Sequence, residues 1–156
     1  MKHSLMVQRG KVLKLINPLI YPIDLESIDS LDRAIHQMDN YILTKGRKSV
    51  GPLIQHSYMS TDKNGNSTIK LEMIRQVDAN IVNVQVPYRM NSSLKVSDCM
   101  YIHFDGKEDD IKFAYNKIGV LAYEEDIKIS DENYTVLIKS DDDNIVADIF
   151  VPILHG

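Results

Sequence analysis

The sequence has 156 residues, of which 44% are hydrophobic and 26% are charged, and this composition is typical of one globular domain with a substantial core. Its formal net charge of −4 gives it no overall attraction for nucleic-acid phosphates, and no apolar run is long enough to span a membrane. Because Cys99 is the single cysteine, an internal disulfide is excluded, and we expect a cytoplasmic protein. The N-terminus lacks the apolar core of a signal peptide. We therefore expect neither a nucleic-acid nor a membrane partner.

The first part of the chain is predicted to form a strand with an extended arm over residues 4–20, followed by a helix. Apolar residues at helical spacing predict that helix, which either Ser27 or Asp29 is positioned to cap. Gly46 is predicted to end it. The apolar stripe consists of Ile28, Leu31, Ile35, Met38 and Ile42.

Two β-like runs, SVGPLIQHSYMS and STIKLEMIRQV, follow the helix and are joined by TDKNGN. Asn64-Gly65 in this connection predicts a hairpin with a type I′ turn, whose two central residues both have positive φ angles. The next apolar run, IVNVQVPY, is predicted to be a strand with Pro87 near its end.

The same order of elements is then predicted a second time. DCMYIHF is a strand, and a helix follows in KEDDIKFAYNKIGVLAYEED, where Asp105 and Glu108 have the spacing of a capping box. ENYTVLIKS and NIVADIFVPI form a second hairpin across an acidic turn. The apolar stripe of the helix consists of Ile111, Ala114, Tyr115, Ile118 and Leu121.

The repeated order strand, helix, hairpin predicts a duplicated architecture within a single domain of residues 1–156. The first half covers about residues 1–79 and the second about 80–156. When the last strands of the halves are aligned, IKLEMI falls on IVADIF, and Glu72 falls on Asp148. Each half therefore has one carboxylate at the same point of the same strand.

Side-chain alternation places the carboxylates on the mixed faces of their strands. The wholly apolar faces are predicted to lie under the two helices, so that the mixed faces form a second surface. A carboxylate among aromatic and aliphatic groups suits an organic cation. The alternative is that these carboxylates simply face water, as on many antiparallel strands. The predicted surface consists of Asp148, Glu72, Tyr101, His103, Val146, Phe150, Tyr58 and His56.

The second half resembles the GyrI-like small-molecule-binding family, which is also the effector-binding domain of many AraC-type and MerR-type multidrug-sensing regulators. The resemblance lies in the runs CMYIHFDGKEDDIKFAYNKIGVLAY, ENYTVLIKS and ADIFVPI, and in the first-half run SVGPLIQHSYMS. The matching positions are Tyr101 to Phe104, Gly106 in a short turn, Tyr115, Tyr134, Asp148 with Pro152, and Gly51, Pro52 and Tyr58.

This resemblance implies an α+β fold of duplicated strand–helix–hairpin units with pseudo-twofold symmetry. It implies an antiparallel curved sheet with two helices on one face and a cleft on the other. It also implies that the acid of the last strand meets a cationic ligand. The family's acid is typically Glu, whereas this chain has Asp148, and the family's cleft often contains Trp, which this chain lacks.

We therefore predict a non-enzymatic module that binds a small organic cation or amphiphile, without a cofactor, a metal or catalytic residues. The predicted ligand-binding residues are Asp148, Tyr101, Phe150, Val146, Glu72, Tyr58 and His103. One alternative is a protein-interaction or inhibitor module that has kept the fold and lost the ligand, with Glu124, Glu125 and Asp126 as a contact region. A further alternative is a small-molecule hydrolase in which Asp148 or Glu72 acts as acid or base with a raised pKa.

Overall fold

The computed structural model describes residues 5–24 and 31–155, which group into two compact units. The N-terminal unit is Lys14–Leu94, and the C-terminal unit comprises the described residues of Met1–Leu13 and Lys95–Gly156. In chain order the elements are β1 (Val7–Ile16), β2 (Pro18–Ile23), α1 (Leu31–Thr44), β3 (Ser49–Thr61), β4 (Ser67–Val77), β5 (Arg89–Met90), β6 (Ser93–Lys107), α2 (Ile111–Glu124), β7 (Asn133–Asp141) and β8 (Asn144–Pro152).

The predicted α+β class and the repeated order of elements are confirmed. The N-terminal unit has the strand order β3-β4-β2-β5, with antiparallel pairing between neighbours. Helix α1 buries Met38 and Ile42, two residues of the predicted stripe. Asp39 of the helix accepts two hydrogen bonds from Arg75 of β4, at 3.1 and 3.3 Å. Because side chains alternate along β4, Glu72 lies on the face of that strand opposite the helix.

The C-terminal unit has the strand order β1-β6-β8-β7, and β8 pairs antiparallel with both β6 and β7. Its core forms where α2 packs on the wholly apolar faces of β6 and β8, as the alternation predicts. The other face of β8 is half-buried. The core residues include Met100, Ile102, Phe104, Ala114, Ile118, Ala122, Ile145, Ile149 and Val151.

The predicted end of the first helix is confirmed, and its predicted start lies outside the described residues. Helix α1 ends at Thr44, and Gly46 follows with a φ of 73°, where its N–H donates to the carbonyl of Leu43 at 3.0 Å. This left-handed conformation is typical of a helix stop. Ile28 and the two cap candidates, Ser27 and Asp29, belong to the part of the chain that is not described.

The strand predicted for IVNVQVPY is wrong. Residues 81–88 form turns and bends, and only Arg89–Met90 pairs with β2. Asn83 has a φ of 60°, which breaks an extended run, and Val82 and Val86 are exposed. Val82 and Val86 therefore have no buried face on which to pack.

Three local predictions, two of turns and one of a helix cap, are also wrong. The hairpin of β3 and β4 exists, but in its connecting loop only Gly65 has a positive φ. The N–H of Gly65 donates to the carbonyl of Asp62, and the Asp62 carboxylate accepts from two further backbone N–H groups. This is a longer loop than a type I′ turn. Asp105 lies inside β6 and does not cap α2, which is preceded by a 3₁₀ turn at Glu108–Asp110. Gly106 also lies inside β6 and not in a turn.

Candidate functional site

Asp148 lies near the middle of β8, a strand that pairs with β6 on one side and β7 on the other. In the strand register it stands opposite His103 of β6 on one side and Val136 of β7 on the other. Its side chain retains 23% exposure, whereas Ala147 and Ile149 on either side of it are fully buried against the core. The strand alternation therefore directs this carboxylate onto the half-buried face.

Two donors converge on one oxygen of this carboxylate. The hydroxyl of Tyr101 donates to Asp148 Oδ1 at 2.6 Å, and Nδ1 of His103 lies 2.7 Å from the same oxygen. No partner for Oδ2 is found among the residues that the structure describes. Burial and the neighbouring carboxylate raise the pKa of Tyr101 well above its usual value, so its phenol remains a donor at neutral pH. Asp148 therefore has an oriented oxygen and a second one available to a ligand.

Aromatic and apolar side chains flank the carboxylate. The rings of Tyr101 and Phe150 have centroids 5.1 Å apart and are tilted by 55°, and Val146 shares the face of β8 with Phe150. Lys11 of β1 places its Nζ 5.6 Å from the Tyr101 ring centroid, within the range of a cation–π interaction. The Tyr101 ring thus already interacts with a positive charge from the same unit. We call Asp148, Tyr101, His103, Phe150 and Val146 the Asp148 site.

Glu72 of β4 forms a second, more closed cluster in the N-terminal unit. Its side chain is only 5% exposed, and both carboxylate oxygens have partners. Nδ1 of His56 lies 3.0 Å from Oε1, and Nη1 of Arg89 donates to Oε2 at 2.7 Å. The hydrogen bond from His56, together with the Arg89 guanidinium and against the effect of burial, lowers the pKa of Glu72. Tyr58 stacks on the His56 ring with centroids 5.0 Å apart.

The two carboxylates occupy equivalent places in the repeat, as the alignment of the strands predicts. Each lies on a strand flanked by the other strand of its hairpin and by the strand that precedes the helix. The histidines, however, come from opposite neighbours. His56 lies on β3, the hairpin partner of β4, whereas His103 lies on β6, the strand before α2.

The predicted site residues therefore fall into two clusters, one in each unit. Five form the Asp148 site, while Glu72 and Tyr58 lie together with His56. Sequence reasoning missed Lys11 and Arg89, which supply positive charge to the two clusters. Lys11 has the same place in the alternation of β1 as the buried Leu13 and Leu15, so periodicity gives no indication of its contact with Tyr101. Arg89 follows a turn, and nothing local connects it with Glu72.

Neither a metal-binding cluster nor a membrane-spanning helix is found among the described residues. Within residues 5–24 and 31–155, no group of three or more His, Cys, Asp or Glu side chains is arranged to hold a metal ion. Neither helix in this part of the chain has the length and apolar character needed to cross a bilayer.

Comparisons with known proteins give a likeness of structure and not of sequence. No protein-family profile matches the sequence, and no curated protein matches it significantly. The EcmrR C-terminal domain superposes with a TM-score of 0.57 at 14% identity, covering 100% of both chains. This chain has the fold of that domain. The expected GyrI-like resemblance is thus supported at the level of fold.

Two further structures show the same likeness. EcmrR in its complex with DNA gives a TM-score of 0.62 at 12% identity over 98% of this chain, which spans 58% of the length of that EcmrR chain. SAV2435 bound to tetraphenylphosphonium gives a TM-score of 0.53 at 10% identity, covering 97% of this chain and 94% of SAV2435. At these low sequence identities, the comparison shows a shared fold and nothing further.

Proposed function

We propose that the C-terminal unit binds a small organic cation or cationic amphiphile at the Asp148 site. One observation carries the proposal: the Asp148 carboxylate lies beside the rings of Tyr101 and Phe150 on a half-buried face of the sheet. Its Oδ2 has no hydrogen-bond partner among the described residues. Partial burial strengthens its attraction for a positive charge, and the ring faces of Tyr101 and Phe150 add cation–π interactions. The fold neighbour SAV2435 has been solved with a lipophilic cation, which supports this ligand class.

Resident positive groups define how a ligand would enter the Asp148 site. Lys11 lies over the Tyr101 ring, and His103 contacts the carboxylate with 51% of its side chain exposed. Both side chains reach water and can move aside at low cost. A ligand cation would replace the Lys11 ammonium over the ring and use the second oxygen of Asp148.

Glu72 has a smaller role in this proposal than the sequence suggests. Its two oxygens are already occupied by His56 and Arg89, so a ligand cation would have to displace an intramolecular partner. Its lowered pKa is also the opposite of what a general acid in a dry site requires. We therefore assign ligand binding to Asp148 and not to Glu72.

The experiment is a calorimetric titration with tetraphenylphosphonium, using tetraphenylborate as a probe of the same shape and opposite charge. We expect the cation to bind and the anion not to bind. Asp148→Asn should weaken cation binding about tenfold, the loss expected for one partly desolvated charge pair. Asp141→Asn, which changes the net charge equally at an exposed position of β7, should bind like the wild type. Equal affinity for both probes, or an unchanged affinity in Asp148→Asn, would refute the proposal.

A protein-interaction module is the second candidate, because the closed state of Glu72 fits a chain that has lost a ligand at that position. The acidic end of α2 is the contact region to examine, although Glu125 there already pairs with Arg9 at 3.6 Å. Affinity purification of the chain with and without Glu124→Lys tests this candidate. A stoichiometric partner lost in the variant supports it, and a partner that binds both equally excludes this region.

A further inference from the structure

The segment between β4 and β6 lines an open hollow in the N-terminal unit. Arg89 belongs both to this hollow and to the Glu72 cluster. The volume of the hollow is about 430 Å³, within the range of small-molecule sites. The apolar and aromatic lining is formed by Ile81, Val84, Tyr88 and Met90. The polar lining is formed by Asn80, Arg89, Asn91 and Ser92.

The charge of this hollow is one-sided. Arg89 is the one charged residue among those that line it, and no carboxylate belongs to the lining. Its side chain is 55% exposed, and its Nη1 donates to Glu72. Neither its Nε nor its Nη2 has a hydrogen-bond acceptor among the described residues. A guanidinium has five N–H donors, so four remain for another acceptor.

The hollow is held in shape from both faces of the sheet. Arg89 stands opposite Ile20 of β2 and is tied to Glu72 on the face away from α1. The preceding residue, Tyr88, stacks on Tyr41 of α1 with ring centroids 4.0 Å apart and planes 8° from parallel. The Tyr41 hydroxyl also bonds the side chain of Gln85 at 2.5 Å. A lining fixed in this way loses little conformational entropy when a ligand binds.

We propose that this hollow binds a small organic carboxylate, with Arg89 as its ion-pair partner. The guanidinium offers parallel N–H groups that match the two oxygens of a carboxylate. Asn80 Nδ2 already donates to Ser92 Oγ at 3.5 Å, and the side-chain amide of Asn91 and the hydroxyl of Ser92 supply further donors. The apolar lining accepts the hydrocarbon part of the ligand. This ligand has the opposite charge to the one proposed for the Asp148 site, and the two proposals are independent.

Glu72 acts in this site as a positioning residue. Its Oε2 holds Nη1 of Arg89 at 2.7 Å, which orients the guanidinium, while its negative charge opposes a second carboxylate nearby. Glu72→Gln keeps an acceptor for Arg89 and removes the charge. That variant is therefore expected to bind a carboxylate more tightly than the wild type.

The experiment is an NMR titration of the ¹⁵N-labelled full chain with benzoate and with benzamide, its neutral isostere. Benzoate is expected to shift the backbone amides of Asn80, Asn91 and Ser92, and benzamide is not. Arg89→Gln should weaken benzoate binding about tenfold. Arg89→Lys keeps the positive charge next to Glu72 and should retain the preference for benzoate over benzamide. This variant serves as the test if Arg89→Gln does not fold.

Control variants separate this site from the rest of the molecule. Arg33→Gln removes an exposed positive charge from α1 of the same unit and should leave benzoate binding unchanged. Asp148→Asn should also leave it unchanged, so failure here and failure of the cation proposal are distinguishable. The inference is overturned if benzoate shifts none of the three amides. It is equally overturned if folded Arg89→Lys shows no preference for benzoate, or if Glu72→Gln binds benzoate more weakly.

Discussion

Replacing Tyr101 with Phe removes the shortest hydrogen bond to Asp148 and leaves the ring in place. The bond is 2.6 Å long and its acceptor is a carboxylate, and hydrogen bonds to charged groups contribute about 1.5–3 kcal/mol. Because the Asp148 side chain keeps 23% of its exposure, water can replace part of the interaction. We therefore expect a coupling energy of about 1.5 kcal/mol between Tyr101 and Asp148, at the lower end of that range.

The assay is urea unfolding at neutral pH of four proteins: wild type, Tyr101→Phe, Asp148→Ala and the double variant. The coupling energy is the difference between the cost of the double variant and the summed costs of the single ones. Equal m-values in all four show that the variants unfold from comparable states. Tyr115→Phe calibrates the series, since it removes a neutral hydrogen bond to Thr135 at a cost of about 1 kcal/mol. A coupling energy below about 0.3 kcal/mol would refute the assignment of Tyr101 as a donor to Asp148.

Three further predictions concern stability and reactivity. The hydrogen bond from His56 lowers the pKa of Glu72 in the folded state. The stability that Glu72 contributes is therefore present above its unfolded pKa and is lost as the pH falls through its folded pKa. Urea midpoints measured from neutral to acid pH should consequently fall less steeply in Glu72→Gln than in the wild type. Gly119→Ala should stabilise α2 by about 0.5–1 kcal/mol, since an added Cβ meets nothing within 4 Å, whereas Gly65→Ala should destabilise by about 1 kcal/mol because Gly65 has a φ of 84°; equal shifts in the unfolding free energy would contradict this. Burial raises the pKa of the Cys99 thiol to about 11, so a thiol reagent should modify it only after unfolding, and fast labelling of the folded protein would show that the thiol is accessible.

The features that the sequence predicts well are those encoded by local alternation. The pattern NIVADIFVPI places Asp148 on one face and Ile149 on the other, and the structure shows that arrangement. The helical stripe around Ile118 likewise predicts the face of α2 that packs on the sheet. Burial follows from such periodicities because each side chain must lie on one face or the other. The same reasoning placed Glu72 and Asp148 at equivalent points of the repeat.

The features that it misses depend on contacts between distant segments. Val82 and Val86 alternate as in a strand, but no neighbouring face covers them, and a local pattern does not reveal that absence. Arg89 reaches Glu72 across 17 residues of sequence, so its role depends on the pairing of β5 with β2. Periodicity therefore predicts the position of each carboxylate, but it does not predict which positively charged side chains lie beside it.

The C-terminal unit is discontinuous in sequence, since most of β1 precedes the N-terminal unit and β6 to β8 follow it. On the ribosome, its strands are therefore synthesised at different times. The segment Lys14–Leu94 is continuous, so all strands of the N-terminal unit emerge before translation reaches β6. Strand β1 emerges earlier still but must wait for β6 before it has a neighbour. Such long-range pairing is slow because its loop must close first. The nascent chain therefore carries an unpaired β1 until β6 has emerged, and a circular permutant that begins at β2 and joins β1 after β8 would shorten that interval.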